Sequence, residues 1–77
     1  MTKEEELYYN NYFDLFGTDG WKQLIVDLEA KAQSYDISYI KDEKDLNKIQ
    51  GELSILQMLL GLEQFIEQGY ESATTPN

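Results

Sequence analysis

The C-terminal half of the chain has a helical pattern of apolar positions between Asp42 and Tyr70. One row of apolar side chains recurs at steps of three and four residues, which keeps it on one helix face. It consists of Leu46, Ile49, Leu53, Leu56 and Leu60. A second row beside it consists of Ile55, Leu59, Leu62 and Ile66, with Met58 and Phe65 next to them. The pattern predicts one long helix over residues 42–70, with an apolar face wider than a two-helix contact needs.

The ends of this helix and the glycines inside it add detail. Asp42 is a typical N-cap, because its carboxylate can accept a hydrogen bond from a free amide at the helix start. Gly69 is predicted to end the helix. Gly51 and Gly61 each cost about 1 kcal/mol relative to alanine. They are either a tolerated cost or the sites where another helix approaches closely, and we favour close approach because packing can offset the loss.

A shorter amphipathic stretch precedes the long helix. Residues 18–35 predict a second helix, capped by Thr18 or Asp19. Its apolar face consists of Trp21, Leu24, Ile25, Leu28, Ala32 and Tyr35. Residues 36–41 interrupt the helical spacing and predict an extended link, which lets the two helices pack antiparallel. We expect Trp21 to lie in the core between them rather than to hold a ligand.

An aromatic segment at residues 7–16 follows an acidic start. Four of its aromatic side chains are spaced as on one helix face: Tyr9, Tyr12, Phe13 and Phe16. The segment is either a lid on the end of the hairpin or an apolar anchor for a partner. The expected fold is all-α, an antiparallel hairpin of helices 18–35 and 42–70 with this short aromatic N-terminal helix or segment packing on it. Residues 1–70 form a single small helical domain, and residues 71–77 a flexible tail.

The two helices differ in length, so the first cannot cover the apolar face of the second completely. The uncovered side chains predict that a second copy of the chain or a different protein buries them. The predicted interaction residues are Tyr9, Tyr12, Phe13, Phe16, Trp21, Ile55, Leu59, Leu62 and Ile66.

The balance of charges narrows the choice of partner. Fifteen acidic residues stand against six lysines and no arginine, which gives a formal net charge of −9. Proteins that bind nucleic acid need positive charge for the phosphates and commonly use arginine to contact bases. We therefore expect no direct binding to nucleic acid. The charge favours solubility, basic partner surfaces or imitation of nucleic acid.

Residues of the common catalytic and metal sites are missing. The chain has neither histidine nor cysteine, which removes the usual general base and the usual thiolate. Carboxylate pairs such as Glu63 and Glu67 are expected to face solvent. We expect no enzyme, no cofactor and no metal. The acidic start and the lack of a long apolar run predict neither a secretory leader nor a membrane span, and hence a cytoplasmic location.

One sequence pattern resembles a known kind of protein. Residues 12–24 are YFDLFGTDGWKQL, and residues 49–53 are IQGEL. Small proteins of tailed bacteriophages are similar: an aromatic-rich start leads to Phe-x-x-x-Gly-Trp-Lys, and a second helix carries a Lys-Gly-Gln-Leu-like element. Here that lysine is missing and Glu52 stands in place of the amide. The resemblance covers residues 8–68. It implies a small viral protein and transfers no functional residue.

Two functions follow as hypotheses. The leading one is a non-enzymatic protein–protein interaction module, a small viral protein that acts as a helical homo-oligomer or docks on a larger partner. The alternative is an acidic inhibitor of a host nucleic-acid-binding protein or enzyme that imitates nucleic acid. The protein would then act in the host cytoplasm or in the virion.

Overall fold

The computed structural model describes residues 1–35 and 41–75. Within them the chain forms four helices and no strand: α1 (Lys3–Phe16), α2 (Asp19–Gln33), α3 (Glu43–Leu60) and α4 (Leu62–Thr74). The prediction of an all-α hairpin with an aromatic N-terminal helix is confirmed. The extended link predicted at residues 36–41 falls almost entirely outside the described residues.

Three helices begin at side-chain caps. The Thr18 hydroxyl accepts a hydrogen bond from the Trp21 amide at 3.1 Å, and the Asp42 carboxylate accepts one from the Asp45 amide at 2.9 Å. Asp42 was predicted as a cap, and Thr18 was one of the two residues predicted for the start of the second helix. Thr2 and Glu5 add a capping box at the start of α1. Each cap satisfies an amide that the first helical turn leaves free, so α1 is a complete helix rather than a loose segment.

The long C-terminal helix is interrupted at Gly61, contrary to the prediction of one helix over residues 42–70. Gly61 has φ −93° and ψ 3°, outside the α-helical range. Its amide still donates to the Gln57 carbonyl at 2.9 Å, and the Phe65 amide donates to the Gly61 carbonyl at 3.0 Å. The helical hydrogen bonds therefore continue through Gly61 although its dihedral angles leave the helical range, because glycine holds a helix only weakly.

The predicted stop at Gly69 is wrong. Helix α4 continues to Thr74, and Gly69 has no positive φ. A Cβ atom at Gly69 would lie 3.0 Å from the Tyr9 hydroxyl oxygen, so the glycine makes room for α1. Within the described chain, the close approach that we expected at Gly51 and Gly61 occurs here instead: a Cβ at Gly51 would meet nothing within 4 Å, and one at Gly61 would meet the Gln57 carbonyl of its own chain segment. The division into a domain of residues 1–70 and a flexible tail stays a prediction.

Helix α2 packs antiparallel on α3. Near the start of α2, the indole N–H of Trp21 donates to the Glu63 carboxylate just beyond Gly61. After the end of α2, the Tyr35 hydroxyl donates to the Glu52 carboxylate of α3. Trp21 is only 5% exposed, which places it in the core as expected.

Helix α1 packs antiparallel on α4 through aromatic side chains. The Tyr9 and Phe13 rings both meet the Tyr70 ring edge-on, with centroids 5.5 and 5.2 Å apart. At the other end of α1, the ring centroids of Phe16 and Trp21 are 5.2 Å apart. The aromatic segment was expected to be either a lid on the hairpin or an anchor for a partner. In the structure it packs as a lid, since Tyr9, Phe13 and Phe16 contact the hairpin.

The resulting molecule is thin and long. Its principal extents are 50 × 30 × 17 Å, and its radius of gyration is 16.7 Å, whereas a compact chain of this length would have about 11.5 Å. Among the described residues, Trp21, Leu56 and Ile66 make up the buried core. The accessible surface is 6323 Å², against about 4,900 Å² for an ordinary folded monomer of this mass. The chain thus exposes much surface that a compact domain would bury.

Gly51, which is open to solvent, and Gly69, which lies against Tyr9, give a first prediction. Gly51→Ala is expected to raise the free energy of unfolding of the monomer by about 1 kcal/mol, because alanine favours the helix and the site is open. Gly69→Ala is expected to gain less, because its Cβ would push against Tyr9. Urea unfolding followed by circular dichroism at submicromolar concentration measures both. Equal gains would show that Tyr9 does not restrict position 69.

Candidate interaction surface

Three of the large apolar side chains of α3 and α4 are more than half exposed. Ile55, Met58 and Phe65 are 56%, 60% and 69% exposed. Their steps of three and seven residues place them along one side of the two helices. Singly exposed apolar residues are normal on a protein surface, but a row of three marks a surface that a partner can bury.

These side chains belong to a longer surface without charge, which we call the uncharged stripe. It comprises ten positions that repeat every seven residues on adjacent rows along α3, Gly61 and α4. They are Gly51, Ser54, Ile55, Met58, Gly61, Leu62, Phe65, Gln68, Gly69 and Ser72. The row next to it holds the exposed residues Gln50, Gln57 and Gln64. In a chain with fifteen acidic residues, a surface of this length without charge is set apart from the rest.

Helix α1 forms a wall along one end of the stripe. Tyr8 and Tyr9 face Phe65, Gly69 and Ser72 across an open groove of about 320 Å³. The Tyr8 side chain is 48% exposed and adds apolar surface to the groove. Loss of hydration raises the pKa of the Tyr8 phenol above its ordinary value, and the neighbouring Tyr12 raises it further. Tyr8 therefore stays neutral at physiological pH and brings no charge to the groove.

The other end of the stripe lies beside α2. A hollow of about 340 Å³ is lined by Lys31 and Tyr35 on one side and by Glu52, Ile55 and Leu56 on the other. The hydrogen bond from the Tyr35 hydroxyl to the Glu52 carboxylate raises the pKa of Tyr35 above its ordinary value. It also holds the Glu52 carboxylate toward α2, away from the uncharged stripe.

The structure distributes the predicted interaction residues among different environments. Trp21 and Ile66 are buried within the chain, at 5% and 2% exposure, so a partner cannot contact them in this conformation. Six others are half-buried: Tyr9, Tyr12, Phe13, Phe16, Leu59 and Leu62. Ile55 is the one member that is largely exposed. That any of them binds a partner stays a prediction.

Three exposed side chains at the uncharged stripe and its groove were not among the predicted interaction residues: Tyr8, Met58 and Phe65. Met58 and Phe65 lie next to the second apolar row, and the seven-residue spacing from Met58 to Phe65 was a usable signal. Which apolar row of α3 and α4 stays exposed depends on which row α1 and α2 cover. The sequence does not show this, because every row has apolar residues that could pack against another helix.

The described residues contain neither a metal-binding cluster nor a membrane-spanning helix. No group of three or more acidic side chains there is arranged to hold a metal ion. No helix of that part of the chain is both long and apolar enough to cross a membrane. No family model matches the chain, and neither a curated protein nor a solved structure is significantly similar to it.

Proposed function

We propose that this chain is a non-enzymatic protein–protein interaction module that works by binding a second copy of itself. The observation that carries the proposal is the uncharged stripe, with its exposed Ile55, Met58 and Phe65. A chain of net charge −9 has ample polar residues for this surface. Ile55, Met58 and Phe65 lie open to solvent in the single chain, and burial against a second copy would remove their apolar surface from water.

The surface area supports the same proposal. The chain exposes roughly 1,400 Å² more than an ordinary monomer of its mass. A stable interface buries about 800 Å² on each partner, so the excess is large enough for one. The small core also favours association, because an interface between two copies adds buried apolar area to a thin chain that buries little of its own.

Solution mass tests the proposal directly. Light scattering coupled to size-exclusion chromatography, from micromolar to millimolar protein, is expected to show more than the 9.0 kDa of a single chain. A mass of 9.0 kDa throughout that range would contradict self-association.

Salt provides a second prediction. Two chains of charge −9 repel each other, and salt screens this repulsion over a distance that falls from about 10 Å at 0.1 M to about 3 Å at 1 M. Raising sodium chloride from about 0.02 to 0.5 M is therefore expected to lower the dissociation constant of the dimer at least about threefold. Sedimentation equilibrium at the two salt concentrations measures it. A weaker dimer at high salt would mean that attraction between charges holds the copies together.

A second candidate function rests on the uneven charge. Helices α1 and α4 hold seven acidic residues and one lysine, including the run Glu4, Glu5 and Glu6. This end of the molecule suits a basic partner surface, as an inhibitor that imitates nucleic acid would require. Salt would affect this binding in the opposite direction from self-association, since the attraction between an acidic surface and a basic protein weakens at high salt. Viral origin, and action in a host cytoplasm or virion, rest on the resemblance to phage proteins and stay predictions.

A further inference from the structure

We infer that the second copy docks antiparallel along the uncharged stripe, with the two-fold axis beside Gly61 and Leu62. This arrangement rests on the proposed self-association and specifies its surface and direction. A two-fold interface uses the same patch on both copies, so the patch must be complementary to itself when reversed.

The uncharged stripe meets this condition. Its centre falls between Gly61 and Leu62, and reversal about that centre brings Phe65 of one copy against Met58 of the other. A thioether beside an aromatic ring is a favourable contact. The same reversal places Gly51 opposite Ser72, so small residues meet small residues at both ends of the interface.

The glycine at position 51 fits this arrangement. Nothing in the described chain lies within 4 Å of the Cβ that Gly51 lacks, so its small size is not required by the packing of its own chain. Glycine and serine in a helix surface let a second backbone come close. In the antiparallel dimer, the helix α4 of the second copy occupies that open space.

The distribution of charge selects the direction. Helices α1 and α4 carry a formal charge of −6, with one lysine, whereas α2 and α3 carry −2, with four lysines. A parallel dimer would place the two −6 ends side by side. The antiparallel dimer places each −6 end beside the −2 end of the other copy, which lowers the repulsion.

A local contact agrees with this direction. Lys48 lies one turn before the uncharged stripe, and the reversal brings it beside the carboxyl end of α4 in the second copy. That end has negative helix polarity, has Glu71 and has no basic residue in its last turn. Lys48 supplies the positive charge that α4 lacks.

Pulsed electron–electron resonance on spin-labelled single-cysteine variants tests the arrangement. The chain has no cysteine of its own, so Asn47→Cys and Gln64→Cys each give one label per copy at an exposed position. At 1.5 Å of rise per residue, the two labels at position 47 are about 44 Å apart along the helices of an antiparallel dimer, and those at position 64 about 8 Å. The expected result is one long and one short distance. Circular dichroism confirms that both labelled variants keep the helices.

Each alternative gives a different pattern. Two short distances mean a parallel dimer, and a long distance at position 64 means that the axis lies elsewhere. Either result overturns this arrangement while self-association survives. A mass of 9.0 kDa with no dipolar signal from either label means that the copies do not associate, which overturns the proposed function as well.

Discussion

Phe65→Glu is expected to raise the dissociation constant of the dimer at least about 100-fold, which corresponds to about 2.7 kcal/mol. Phe65 is the most exposed large apolar side chain of the described chain, at 69%. Its burial in an interface would contribute about 1.5–3 kcal/mol. The glutamate removes that contribution and adds a charge that would have to lose its water on association. Since the side chain is largely exposed in the single chain, the fold itself should be little affected.

Val26→Glu is the matched control. Val26 is 58% exposed, lies on α2 outside the uncharged stripe, and receives the same negative charge. We expect its dissociation constant to change by no more than about threefold, from the added repulsion alone. Sedimentation equilibrium measures both variants, and circular dichroism verifies that both are helical. If the two variants weaken the dimer equally, net charge governs association and the uncharged stripe is not the interface.

The sequence was sufficient for much of the fold because the signals concerned are local. The cap at Asp42, the cap at Thr18 and the helical spacing of apolar residues depend on neighbours in the chain. The pairing of α1 with the hairpin was one of two stated alternatives. It depended on whether Tyr9 and Phe13 find a surface, and Tyr70 provides it.

Both errors in the long helix come from glycines whose role depends on distant parts of the chain. Gly61 interrupts the helix at the point where the packing partner changes, since α2 packs on α3 before it and α1 packs on α4 after it. Gly69 resembles a helix stop in sequence but makes room for Tyr9, more than fifty residues away. Local rules cannot distinguish a glycine that ends a helix from one that admits a neighbour.

The candidate surface shows the same limit. The sequence predicts a wide apolar face on residues 42–70, but α1 and α2 decide which part of it remains exposed. They bury Ile66 and leave Phe65 open, although the two residues are adjacent and similarly apolar. The absence of charge along the uncharged stripe is visible in the sequence. Its meaning depends on the fold, in which Tyr9 of α1 packs against Gly69 whereas Ile55, Met58 and Phe65 stay exposed.

Ile66→Ala is expected to lower the free energy of unfolding by about 3–4 kcal/mol, within the range for removing a buried isoleucine side chain. Ile66 lies on α4 beside Tyr8 and Tyr9 of α1, is 2% exposed, and is one of the three buried residues in the described part of the chain. A chain this small has about 3–5 kcal/mol of stability from its core, so about −1 to 2 kcal/mol would remain and the variant should be close to its unfolding midpoint at 25 °C. Urea unfolding, followed by circular dichroism and by Trp21 fluorescence, gives the value.

Ile55→Ala makes the same chemical change at a site that is 56% exposed. Comparing it with Ile66→Ala therefore distinguishes an effect on folding of the single chain from an effect on association. At submicromolar concentration, where the single chain predominates, its unfolding free energy should fall by less than about 1 kcal/mol. At high concentration its dimer should be weaker, because Ile55 lies on the uncharged stripe. If Ile55→Ala instead destabilises the dilute chain as much as Ile66→Ala, then Ile55 is buried in the monomer. In that case the uncharged stripe is part of the core, and the self-association that we propose loses its surface.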